Sequence, residues 1–261
     1  MITRPAAQSF DFARSLEAYG ARVIHFPVIE IVPPDSFVEL DAALVELELY
    51  DWIIFTSINA VDYFMRRFER ANNNLSDLDE LRVCAIGDAT ANRLGDLQIH
   101  VDVVPNDDFN HEGIIAALEN YLGGTEVLRD LHFLLPRAAH AREHLPHTLR
   151  QAGAKINVVT AYRTITAHPE NRGRVEAMLR GGAIDCITFT SGSSITNFAL
   201  IFASHDLKDL LRDTRIACIG HVTARVAAEH QLPVRIIPSL ATTHALAASI
   251  AAYFEDEEPS G

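Results

Sequence analysis

Positive charge, cysteine and long apolar runs are all scarce in this chain, and each shortage removes a class of protein. Lys and Arg number 22 against 35 Asp and Glu, a net charge of −13. That argues against a nucleic-acid partner, which needs a basic face. The acid excess is partly carried by EDEEPSG at 255–261, expected to be a disordered, solvated tail. Only three cysteines occur, Cys84, Cys186 and Cys218, with no CxxC pair and each inside a predicted strand. Buried free thiols of a reducing compartment account for them, not a disulfide framework or a metal site. No apolar run approaches the roughly 20 residues that a membrane-spanning helix needs. The amino terminus has no charged segment followed by an apolar one, so a cytoplasmic protein without a membrane partner is expected. GxSxG, Walker and GxGxxG sequences are missing as well, which leaves no signature of a serine hydrolase, a phosphate-loop enzyme or a dinucleotide fold.

What the chain does have is itself, twice. IIFTSINAV at 53–61 returns as ITFTSGSSI at 187–195, and VCAIGDATA at 83–91 returns as IACIGHVTA at 216–224. VDVVP at 101–105 returns as VRIIP at 234–238. Upstream, residues 3–23 align with 136–156, pairing Arg4 with Arg137, Leu16 with Leu149 and Gly20 with Gly153. Copies of this length indicate a duplicated domain, not a short-period solenoid. Only residues 1–3 precede Arg4, so the first strand of the first copy is expected to be short.

Each copy alternates short apolar runs with segments of helical spacing. The runs at 22–26, 51–55, 82–86 and 101–104, and at 131–135, 155–159, 185–189, 215–219 and 234–237, are about five residues long and apolar on both faces. Such runs are buried parallel strands. Between them, Val61, Phe64, Met65 and Phe68 share one helical face, as do Ile195, Phe198, Ala199 and Phe202. Further helices are expected at 89–94, 112–122, 223–230 and 243–254. The result is a doubly wound α/β domain, made twice. Extended, proline-bearing connections end at 31–35 and 166–169, and segments 26–32 and 158–166 could pair as a ribbon between the domains. A sequential split near residue 126 and an interleaved split both fit the pattern. The connections favour the interleaved one, with 1–32 plus 170–254 as one domain and 36–165 as the other.

In open α/β sheets, ligands sit beyond the carboxyl ends of the strands. The loops placed there are 4–8, 56–59, 87–90, 106–112, 137–140, 191–194, 220–223 and 239–244, rich in Thr, Ser, Asn and Gly. Hydroxyls and free amides at helix starts hold carboxylates or phosphates without lysine. The same hydroxyls serve as plain helix caps, and either role fits any one of them. His140, His144 and His147 have a spacing that could clasp zinc, but Pro146 interrupts it and a solvated helix face is the better account of them. Matched His111 and His244 hint at a site rim or are ordinary surface. Tyr162 lies in the proposed ribbon where the other copy has Ile29. Its phenol could give a proton to a departing oxygen, or simply pack.

Taken in order, TRP at 3–5, FTSINAV at 55–61, AIGDATA at 85–91, AYRT at 161–164, FTSGSS at 189–194 and IGHVTA at 219–224 make the chain resemble the uroporphyrinogen-III synthase family over residues 2–254. The resemblance implies two flavodoxin-like, doubly wound parallel-sheet domains joined by a two-stranded ladder, with the ligand cleft between them. It implies cyclisation of the linear tetrapyrrole hydroxymethylbilane, a polycarboxylate, with loss of water, inversion of ring D and no cofactor or metal. It puts the family's tyrosine on Tyr162 as the catalytic residue, and substrate-binding hydroxyls on Thr90, Thr223, Ser57, Ser191 and Ser193. Thr56 and Gly192, in the same strand-end loops, join the expected binding set, with Arg4 and Arg137 as carboxylate partners. Ile58 and Asn59 after the first FTS, and His221 after the second glycine, depart from the family's usual residues. A monomer is expected. A non-catalytic two-domain sensor and a bilobed solute-binding protein are the rival readings.

Overall fold

The computed structural model describes residues 1–5, 8–105, 110–141 and 143–257. The chain divides into two compact units, one of Met1–Glu30 with Ile165–Gly261 and the other of Ile31–Thr164. Among the described residues, no helix is long and apolar enough to cross a membrane.

The second unit contains α2 (Val38–Val45), β2 (Trp52–Phe55), α3 (Ile58–Arg70), β3 (Arg82–Ala85), α4 (Asp88–Asp96), α5 (His111–Leu122), β4 (His132–Ala138), α6 (His144–Gln151) and most of β5 (Lys155–Thr166). A short strand β1 (Ile29–Val32) leads into it, and the sheet order is β1-β5-β4-β2-β3. Val103 adds a parallel bridge to Cys84 beyond β3. The pairs β4–β5, β2–β4 and β2–β3 are all parallel. Alternation along the strands feeds two cores. Ile53, Phe55, Val83, Ala85 and Leu134 pack on α2, α3 and α4, while Trp52, Ile54, Cys84, Phe133 and Leu135 pack on α5 and α6.

The first unit contains α1 (Phe10–Ala18), α7 (Arg172–Arg180), β6 (Cys186–Phe189), α8 (Gly192–Ile201), α9 (Leu207–Leu210), β7 (Arg215–Cys218), α10 (His221–Glu229), β8 (Val234–Ile236) and α11 (Thr243–Glu257). Its sheet is parallel: β6 pairs β7, β7 pairs β8, and Ile2 bridges both Thr188 and His25. From one edge the order is therefore residue 25, residue 2, β6, β7, β8. The second unit has the same order with β5, β4, β2, β3 and Val103. Both follow the 2-1-3-4-5 strand order of flavodoxin-like folds, provided each sheet takes its first two strands from one copy of the repeat and its last three from the other.

The aligned leucine and glycine pairs have a common cause. Gly20 and Gly153 have φ +83° and +88° just past α1 and α6. The amide after each glycine donates to Leu16 and Leu149 respectively. These are Schellman ends, which need a left-handed residue and an apolar contact, so glycine and buried leucine recur together.

Four expectations are modified. The strands at 22–26 and 101–104 reduce to single bridges at His25 and Val103, both at sheet edges where pairing comes from one side only. The ribbon is not separate from the sheet. Residues 155–166 hold neither glycine nor proline, so β5 runs unbroken through the sheet and beside β1. Helices α2 and α7 arise in the segments 36–50 and 170–181, for which no element was expected. The acidic tail starts later than residue 255, because α11 continues to Glu257; residues 258–261 lie outside the described ones.

Burial pushes the thiols of Cys84 and Cys218 up to about 12 and that of Cys186 up to about 11. Native protein at mildly alkaline pH is expected to react with a thiol-alkylating reagent far more slowly than unfolded protein, as measured by mass spectrometry over time. Rapid labelling of all three cysteines in the folded state would contradict this packing.

Candidate functional site

At the carboxyl end of β2, Ser57 has extended backbone and caps α3, its Oγ accepting from Ala60 N at 3.1 Å. Its counterpart Ser191 caps α8 in the same way, accepting from Ser194 N at 3.1 Å. The two copies then diverge. Ser57 Oγ lies 3.1 Å from the phenol oxygen of Tyr162. Ser191 Oγ instead lies 3.0 Å from Ser193 Oγ in an exposed setting.

Tyr162 reaches Ser57 because of a bulge. In the β4–β5 ladder, Arg137 pairs with Thr160 but Ala138 pairs with Tyr162, so Ala161 is an extra residue in β5. Val159 and Ala161 face the core under α3, and strict alternation would turn Tyr162 to the opposite face. The bulge returns it to the same core, only 8 % exposed. There its ring lies 5.8 Å from that of Tyr63, whose hydroxyl donates to Ile31 O. Nothing in the local sequence announces the inserted register.

Thr90 and Thr223 occupy matched places in α4 and α10, each 4 % exposed, and neither hydroxyl has a partner among the described residues. The helices start at Gly87 and Gly220, which supply no side-chain acceptor to the first amides. Thr56, between β2 and the Ser57 cap, is half-buried.

The two arginines differ. Arg137 is mostly buried and is ion-paired with Glu143. Arg4 is half-buried, has no carboxylate partner among the described residues, and burial lowers the pKa of its guanidinium. Such a cation is left without the paired anion that usually offsets desolvation. Residues 6 and 7 of the first expected loop and 106–109 of the fourth lie outside the described residues.

Gly192 opens α8 where that helix packs on α10. A Cβ there would meet Val226 Cγ2 at 2.7 Å, so close helix contact accounts for the glycine. In α6, His144 stands 3.9 Å from Glu112. Among the described residues, no group of three or more His, Cys, Asp or Glu could hold a metal ion. Cavities of about 470 and 530 Å³ in the first unit and 600 Å³ in the second lie at the amino ends of the strands, lined by residues such as Asp185, Arg215 and Asp51. None of these three contains a candidate residue.

Two flavodoxin-ordered units, each with a serine-capped helix at a strand end, define a class: duplicated doubly wound α/β proteins. A sequence model described as uroporphyrinogen-III synthase HemD matches residues 11–248, and the chain belongs to the uroporphyrinogen-III synthase family. The uroporphyrinogen-III synthase of Chlorobaculum parvum is 29% identical over 91% of this chain and 92% of its own length. That of Synechococcus elongatus is 30% identical over 86% and 83%. Among solved structures, uroporphyrinogen-III synthetase from Helicobacter pylori superposes with a TM-score of 0.64 at 18% identity, over 90% of this chain and 96% of that one. A mutant Thermus thermophilus enzyme gives 0.62 at 16%, over 98% of both chains. At such identities these two speak for the fold.

Replacing Gly192 by alanine is expected to destabilise the first unit by about 1–3 kcal/mol through overpacking against Val226, read by urea unfolding. An unchanged midpoint would mean that α8 and α10 can separate freely.

Proposed function

We propose that this protein is a uroporphyrinogen-III synthase, closing hydroxymethylbilane with loss of water and inversion of ring D. Family membership along nearly the whole chain supports the assignment. The observation that carries the chemistry is the Tyr162 phenol of β5, beside the Ser57 helix cap that follows β2. The names of the relatives do not favour a non-catalytic sensor.

The substrate's terminal pyrrole pushes out its hydroxymethyl oxygen. Tyr162 gives that oxygen a proton, so it leaves as water, and the ring becomes an azafulvenium cation with a phenolate beside it. Ring D attacks this carbon through its substituted position, forming a spiro intermediate. Fragmentation and reclosure at the other α-carbon invert the ring, and loss of the ring proton restores the pyrrole and balances the proton first supplied. Expulsion of water from an electron-rich pyrrole is intrinsically easy, so holding one substrate shape is the main catalytic task. Arg4, Ser191, Ser193, Thr90, Thr223 and the free amides of α4 and α10 are the proposed carboxylate donors, with Thr56 and Arg137 in supporting positions. These contacts require no cofactor. The protein is proposed to act as a cytoplasmic monomer without a nucleic-acid partner, in keeping with its charge of −13.

Incubation with freshly prepared hydroxymethylbilane, followed by oxidation and separation of isomers, should yield the III isomer. Only the I isomer, the spontaneous product, would refute the assignment. Tyr162→Phe is expected to lower kcat by about 10²-fold or more, the scale of general acid catalysis, while costing about 1 kcal/mol of stability for one hydrogen bond. An unchanged kcat would remove Tyr162 from the mechanism. Arg4→Gln should raise KM at least several-fold with kcat nearly preserved, and an unaltered KM would exclude Arg4 as a carboxylate partner.

A further inference from the structure

The duplicated serines at 57 and 191 begin with the same job and end with different ones. Each caps its helix through one oxygen lone pair. A serine hydroxyl has one proton and a second lone pair left for other partners. At Ser191, these face the exposed Ser193 hydroxyl. At Ser57, they face the Tyr162 oxygen 3.1 Å away. Ser57 has no other partner among the described residues.

Hydrogen-bond polarity decides what this contact does. If the phenol donated to Ser57, two donors, Ala60 N–H and Tyr162 O–H, would converge on one oxygen. The serine's own proton would then lack an acceptor among the described residues in a half-buried position. If Ser57 donates, the bonds run head to tail from Ala60 N–H to Ser57 O–H to the phenol oxygen, and each strengthens the next. The phenol proton then has no acceptor within the described chain and is available to a ligand. The same bond supports the oxygen when it loses that proton.

We infer that Ser57 is the positioning residue for Tyr162, not a substrate ligand, so that the two units divide the work. The unit containing Ser57 orients the proton donor. Its rim also carries Asp88 at the start of α4 and an arginine ion-paired with Glu143, so it offers less positive charge to a ligand than the other rim. On the rim with Ser191 and Ser193, Ile29 stands where the other unit has Tyr162. That rim also has His221 at the start of α10, and Arg4 with no carboxylate partner among the described residues, a set suited to anions. This assignment rests on Tyr162 being the proton donor.

The test is a set of steady-state measurements on hydroxymethylbilane with the full chain. Ser57→Ala should lower kcat about 10-fold or more with KM little changed, and Ser57→Thr, which retains both cap and hydroxyl, should restore kcat to within a few-fold. Ser57→Ala combined with Tyr162→Phe should be no slower than Tyr162→Phe alone. Ser191→Ala should raise KM and spare kcat. Ser57→Gly, which removes the hydroxyl but still suits a cap position, serves in place of alanine if that variant folds poorly. A raised KM at unchanged kcat for Ser57→Ala or Ser57→Gly, failure of threonine to rescue, or independent multiplying losses in the double variant would each overturn the inference. A normal Tyr162→Phe would instead overturn the proton-donor reading on which it stands, and an inactive wild type would overturn the functional assignment itself.

Discussion

Everything in the first unit depends on pairing between the extreme amino terminus and a strand far down the chain. Ile2 bridges Thr188, Thr3 Oγ1 donates to Thr188 O at 2.7 Å, and Thr188 N donates to Met1 O at 3.0 Å. The second unit has the matching dependence, with β2 beside β4, Trp52 opposite Phe133. In both sheets this contact joins material from different copies of the repeat and supplies the centre of the sheet. Without it, each copy would keep strand segments with unpaired edges and only part of a core. Because these contacts are remote in sequence, their entropic cost must be met before either core is complete.

That arrangement also sets the chemistry. A sheet completed from two copies has strand ends from both, so nominally equivalent loops acquire different neighbours. Ser57 meets Tyr162 only because β5, from the second copy, lies in the sheet of β2, from the first. Ser191 sits in the other sheet, where the segment equivalent to β5 contains Ile29. Duplication supplied two similar rims, and recombination of the strands made them chemically unequal. An easy reaction that mainly needs its substrate held in one shape suits such a division: one proton donor is enough, while many carboxylates have to be held.

The main strands and helices were legible because their signals are local. Buried parallel strands such as 52–55 and 186–189 appear as short apolar runs, and α3 and α8 as apolar stripes at helical spacing. Segments 38–45 and 172–180 were missed: α2 puts Val38 and Val45 on its exposed side, and α7 is crowded with arginine, so neither has a clear stripe. The paired hydroxyl loops could be read as candidate binding elements because they recur at strand ends. The separate reasons for individual residues could not. Gly192 resembles a ligand loop in sequence, yet it is explained by Val226 on a neighbouring helix. Arg4 and Arg137 align perfectly, yet among the described residues only Arg137 has a carboxylate partner.

The amino-acid sequence alone determined the α/β class, the duplication, the family and the chemical character of the rims, since all of these follow from local pattern and repetition. Tertiary structure decided which copy completes which sheet, because two similar copies offer interchangeable strands and only packing selects among them. It also decided the partner of Ser57. One extra residue in the β4–β5 register carries Tyr162 from one face of the sheet to the other, and register is a property of paired strands that neither strand possesses by itself.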